Sequence, residues 1–126
     1  MPSQPPDRDQ VLDPSVLDSY RLLQEDGEPD LITELIDGFL ADLEGRLHAI
    51  RRAIAGGDAP ALRSAAHSLK GSSGTVGAIG LAQRCGELEA LGREGRVDEA
   101  GPLLDDLAAL IPEVGRALSA LREPGA

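Results

Sequence analysis

Apolar residues recur at spacings of three and four in five stretches of the chain, and each stretch predicts an amphipathic helix. The first opens at Asp13, a good N-cap followed by Pro14 at the first helical position. It runs to about Gln24, with Val16, Leu17, Tyr20 and Leu23 as its apolar set. Gly27 to Pro29 ends it, and a second helix is predicted from about Pro29 to Ala55. Ile32, Leu35, Ile36, Phe39, Leu43, Leu47, Ile50 and Ile54 hold the period until Gly56-Gly57 stops it. Asp58 caps a third helix whose stripe is Leu62, Ala66, Leu69, Ser73 and Val76, and which continues or loosens through Gly71-Ser72-Ser73-Gly74. The fourth, about Ala78 to Glu94, buries Leu81, Cys85, Leu88 and Leu91 and ends at Gly95, a natural C′ glycine. A second stripe on it is Ala82, Gly86, Glu89 and Arg93. The last is predicted from about Asp98 to Leu121, with Val97 just before it and Leu103, Leu107, Leu110, Val114, Leu118 and Leu121 as its stripe. Pro102 fits its first turn, whereas Pro112 should kink or split it.

Four substantial helices joined by connections of two to four residues imply an all-α, antiparallel up-down-up-down four-helix bundle. The short extra N-terminal helix should pack across one end. Residues 13–121 form the single domain that 126 residues allow, residues 1–12 are expected to be a disordered polar, proline-rich tail, and residues 122–126 to fray. Composition agrees: the apolar residues are mainly Leu, Ala, Ile and Val, and Tyr20 and Phe39 are the only aromatics. No apolar run approaches the roughly 20 residues needed to span a bilayer, and the first residues lack a signal-peptide core, so a cytoplasmic location is expected. One cysteine and two histidines give neither an internal disulfide nor a metal-ligand cluster, and Cys85 reads as a small core residue.

Charge sharpens this picture through its distribution. The formal net charge is −10, which argues against nucleic acid or an anionic membrane as partner. Residues 46–96 nevertheless carry eight basic side chains against four acids, while the remainder carries four against eighteen. The basic segment suits an acidic docking partner.

That segment contains His67, which falls opposite the buried stripe of the third helix. Arg63, Ser64, Lys70, Gly71 and Gly74 lie at matching helical spacings around it. Glycine costs about 1 kcal/mol relative to alanine in a helix interior, so Gly71 and Gly74 beside an exposed imidazole point to close approach by another molecule. His48 lacks such neighbours and reads as a plain surface residue. A nucleotide-binding loop does not fit, because Gly-x-x-x-x-Gly-Lys-Ser/Thr is absent and the only lysine precedes the glycines.

The run Ala66-His67-Ser68-Leu69-Lys70-Gly71-Ser72-Ser73, then Val76-Gly77-Ala78, Leu81-Ala82, Cys85, Leu88-Glu89 and Gly92-Arg93, resembles a histidine-containing phosphotransfer (HPt) domain over about residues 30–121. The resemblance implies a helical bundle whose surface histidine, here His67, carries a phosphoryl group between aspartates of receiver domains in a two-component phosphorelay. It places Glu89 and Arg93 as polar groups near the histidine, although a carboxylate at position 89 would repel a phosphoryl group. Receiver domains of response regulators and hybrid kinases are the implied partners. They bring the Mg²⁺, so the carrier needs no cofactor of its own, and a monomer is expected.

The residue chemistry fits a carrier. Neutral imidazole offers a lone pair near neutral pH. Lys70, one turn on, can offset phosphoryl charge, with Arg63 and Arg93 adding a diffuse positive field. Ser64, Gly71, Gly74, Ala82 and Gly86 are the expected docking surface. Nothing supplies an ATP site, so the histidine has to be loaded by another protein. Two other readings stand beside this one: a module that binds a receiver or kinase without being phosphorylated, and a helical enzyme using His67 as general base. The last needs a cleft between the third and fourth helices with Glu89 as the orienting carboxylate.

Overall fold

The computed structural model describes residues 10–24 and 30–122, which form five α-helices and one 3-10 turn. In chain order these are α1 (Pro14–Arg21), α2 (Leu31–Ala55), α3 (Ala59–Thr75), α4 (Ile79–Glu94), the turn Val97–Glu99, and α5 (Gly101–Ser119). Sequential helices pack against one another, and α5 closes back onto α2, giving the four-helix bundle with α1 set against α2. The expected stripes point inward: Ile36, Ile50, Leu62, Leu69, Leu81, Leu88, Leu107 and Leu118 are fully buried in one continuous core. Among the described residues no helix is long and apolar enough to cross a membrane.

Side-chain caps start three of the helices. Asp13, Asp30 and Asp58 accept hydrogen bonds from the backbone N–H groups of Ser15, Ile32 and Ala61 at 3.0, 3.1 and 3.0 Å. Gly95 ends α4 with φ at +72°, the left-handed conformation expected of it.

Several boundaries differ from those the pattern predicts. The first helix ends at Arg21, three residues early, and leaves Leu22 and Leu23 exposed. The break at Gly27 to Pro29 lies outside the described residues, and α2 begins at Leu31 because Asp30 supplies the cap. Along α2, Leu35 and Ile54 are only half-buried, and Ala53 fills the core in place of the latter. The last helix does not start at Asp98. The chain first makes a 3-10 turn that drives Val97 and Ala100 into the core, and α5 follows from Gly101 with Pro102 in its first turn. Pro112 does not split α5. It lies on the exposed side of the helix, away from the buried stripe of Leu107, Leu110, Val114 and Leu118.

The expected N-terminal disorder falls outside the described residues for 1–9, but 10–12 behave differently. Val11 and Leu12 pack on the core, and Asp13 donates its N–H to the Gly77 carbonyl at 2.8 Å. At the other end, residues 123–126 lie outside the description, while Arg122 is tied to Asp37 of α2 at 2.8 Å. The N-terminal arm seats on the α3–α4 turn at Gly77, whose φ is +76° and whose added β-carbon would lie 2.7 Å from the Asp13 carbonyl oxygen.

Two glycines in this region therefore respond oppositely to alanine. Gly77→Ala should lower stability by about 1–3 kcal/mol. Gly71→Ala, with nothing within 4 Å of the new methyl, should raise it by up to about 1 kcal/mol. Urea denaturation of the two variants checks the pair, and equal signs would contradict the geometry.

Candidate functional site

The glycine-rich run 71–74 stays helical, which fixes the site on a rigid element. Ser72 and Thr75 side chains donate to the carbonyls of Leu69 and Gly71 at 3.2 and 3.1 Å, adding local bonds where glycine weakens the helix. Gly71 and Gly74 are exposed and do not have positive φ. The inward residues Leu62, Ala66, Leu69 and Ser73 anchor α3, so His67 stands on the opposite side with its side chain 70% exposed.

Glu89 of α4 is the centre of the cluster, with its side chain only 8% exposed. Its Oε2 pairs with His67 Nδ1 at 3.1 Å, and Lys70 Nζ donates to its Oε1 at 3.1 Å. Arg93, one turn further along α4 and 57% exposed, donates to Oε2 at 3.4 Å. The Lys70 hydrogen bond holds the Glu89 carboxyl below its ordinary value, burial opposes that, and His67 adds to the lowering. A carboxylate can only accept, so a neutral His67 ring has to carry its proton on Nδ1. The lone pair then sits on Nε2, which has no hydrogen-bond partner among the described residues.

The repulsion expected of a carboxylate at 89 is thus offset, since both oxygens are turned toward Lys70, His67 and Arg93, on the Nδ1 side of the ring. Arg93 touches Glu89, not the histidine, and Arg63 is exposed on α3 one turn before His67. Of the expected docking residues, Ser64, Gly71 and Gly74 are exposed around His67, while Ala82 and Gly86 are half-buried on α4. A β-carbon at Gly86 would lie 3.9 Å from Lys70 Cδ, so the lysine stem passes over this glycine on its way to Glu89.

Depressions flank His67 on both sides. One of about 650 Å³ lies between α3 and α4 and is bordered by Pro60, Arg63, Ser64, His67, Glu89 and Arg93. It supplies the cleft that the general-base reading requires. The other, about 880 Å³, lies between α2 and α3 over Gly45, Ala49, Arg52, Ala61, Ser64 and Ser68. Arg46 of α2 crosses this second groove to hydrogen-bond Ser68, the residue after His67. The Arg46 contact escaped sequence reasoning because it joins two helices with no spacing rule between them. Away from the site, His48 is exposed, and burial, with Glu89 adding, pushes the Cys85 thiol up to about 12, leaving an inert core residue.

The lowered Glu89 value has a sign that can be tested. A carboxyl depressed in the folded state stabilises the protein above its ordinary unfolded value near 4.5, and that stabilisation disappears as pH falls through the lower folded value. Glu89→Gln should therefore be less stable than wild type at pH 7, with the gap closing at a second, more acid pH below the depressed folded value, where the Glu89 carboxyl is protonated. Urea denaturation at the two pH values measures this, and a gap that persists in acid would contradict it.

The Hpt domain family model matches residues 34–123. None of the curated proteins compared matches the chain. Among solved structures, the crystal structure of histidine-containing phosphotransfer protein B (HptB) from Pseudomonas aeruginosa PAO1 is similar at 36% identity and a TM-score of 0.79, covering 90% of this chain and 96% of that one. With an all-helical bundle, an exposed histidine at its centre and these matches in agreement, the chain belongs to the Hpt-domain family of histidine phosphotransfer proteins of two-component signalling.

Proposed function

We propose that His67 accepts a phosphoryl group from a receiver-domain aspartate and passes it to the aspartate of another receiver, with no ATP-dependent kinase activity in this chain. The observation that carries the proposal is an exposed imidazole whose Nδ1 is engaged by buried Glu89. Nε2 attacks phosphorus, the N–P bond forms, the P–O bond to the donor aspartate breaks, and the aspartate leaves as a carboxylate. Because Nδ1 keeps its proton, the phosphorylated ring is cationic, and Glu89 offsets that charge. A cationic ring is a good leaving group, which keeps the phosphoryl group transferable. Lys70 is within reach of the phosphoryl oxygens from the next turn, and its side chain, 46% exposed, is free to turn from Glu89 toward them.

The docking face supports this reading. Ser64, Gly71 and Gly74 leave room around the ring for a receiver to bring its aspartate in line, and the α2–α3 groove continues that low surface. The cleft beside Glu89 also favours a second reading, His67 as the general base of an enzyme. A general base working on a small substrate needs water excluded, and a ring 70% exposed favours the carrier instead.

Incubation with labelled phospho-receivers tests the proposal. Wild type should gain an acid-labile, base-stable adduct, and His67→Gln should gain none. Lys70→Ala, which also takes a partner from Glu89, should stay folded with a modestly lower melting temperature while transfer slows by roughly one to three orders of magnitude. Label retained by His67→Gln would refute the assignment, and a wild type that binds receivers but takes no label would make the chain a pure interaction module.

A further inference from the structure

Gly92 is buried in α4, one turn beyond Glu89. A β-carbon there would lie 2.6 Å from Arg63 N, 2.9 Å from Ala59 O and 2.9 Å from Arg63 Cα. All three are backbone atoms of α3, so no rotamer change relieves the overlap, and the helices themselves would have to separate. Helical strain does not explain this glycine either, because positive φ among the described glycines is confined to Gly57, Gly77 and Gly95.

The position of this contact matters for the site. Arg63 precedes His67 by one turn of α3, and Gly92 follows Glu89 by one turn of α4, so the backbone contact and the His67–Glu89 pair are neighbours along one seam. Ordinary contact begins near 3.4 Å, so a methyl group at 92 requires an opening of roughly 0.8 Å at its nearest approach. His67 Nδ1 lies 3.1 Å from Glu89, so with the rotamers unchanged a comparable opening one turn away takes this pair past hydrogen-bond length.

We propose that Gly92 is a positioning residue for phosphoryl transfer: by letting the α4 backbone touch that of α3, it sets the spacing at which Glu89 holds the His67 ring with its proton on Nδ1. The inference rests on reading His67 as the phosphoryl acceptor. Gly92 is assigned no role in contacting the phosphoryl group, and acts through Glu89.

Ring ¹⁵N chemical shifts test it at about pH 9, above the ordinary imidazole range. The chain has only two histidines, and exposed His48 is the internal control. Wild-type His67 should show Nδ1–H, whereas in Gly92→Ala its tautomer pattern should fall to that of His48 and transfer should slow roughly 10- to 100-fold. Gly115→Ala, with nothing within 4 Å of the new methyl, should change neither readout. Glu89→Asp shortens the carboxylate while keeping Gly92, and should lose the Nδ1–H preference without any backbone overlap. This second variant keeps the proposal testable if Gly92→Ala fails to fold. A folded Gly92→Ala with a wild-type ring, or Glu89→Asp with a wild-type ring, overturns the proposal. A wild type that takes no phosphoryl group overturns it through the acceptor reading, and is recognised because its ring still shows Nδ1–H.

Discussion

The site depends on one buried carboxylate. A charge held between packed helices is costly unless it is paired, and Glu89 is tolerated at 8% exposure because His67, Lys70 and Arg93 engage both of its oxygens. The same pairing aligns the imidazole, so the interaction that makes the carboxylate bearable also prepares the ring. The bundle supplies the rest: α4 packs against α3 on one side and α5 on the other, and buried Arg84 ties it to Asp106 of α5 at 3.2 Å. A helix gripped from two sides can present an acid in a fixed place, where a loop would let it drift.

Much of the fold is legible in the sequence because helix burial has a local signature. Leu62, Ala66, Leu69, Ser73 and Val76 are spaced for one face, and all five are buried. The features that escape are those decided by non-local packing. Val97 and Ala100 enter the core through a 3-10 turn, and two apolar residues are too few to announce it by periodicity. Val11 and Leu12 likewise sit in a polar, proline-rich stretch whose composition predicts disorder, yet they pack on the core while the flanking Gln10 and Asp13 carbonyls lie against Gly80 and Gly77.

The site divides along the same line. His67, Lys70, Gly71 and Gly74 share one helix, so their grouping follows from the 3.6-residue period alone. Glu89 lies on another helix, and judged there by its charge it reads as an obstacle to a phosphoryl group. Only the tertiary contacts show Oε1 taken by Lys70 and Oε2 facing His67 Nδ1. Arg46 and Gly92 act through interhelix contacts that no spacing along the chain encodes, so although Gly92 belongs to the run that carries the family resemblance, the sequence does not show what it touches.

The central claim is that Glu89 occupies Nδ1 and leaves Nε2 as the nucleophile. The regiochemistry of the phosphorylated protein tests it most directly, through ³¹P–¹⁵N couplings in protein labelled with ¹⁵N-histidine and loaded by a phospho-receiver. Coupling to Nε2 of His67, with a proton retained on Nδ1, is the expected result. Phosphorus bonded to Nδ1 would require the Glu89 contact to break on transfer and would contradict the account.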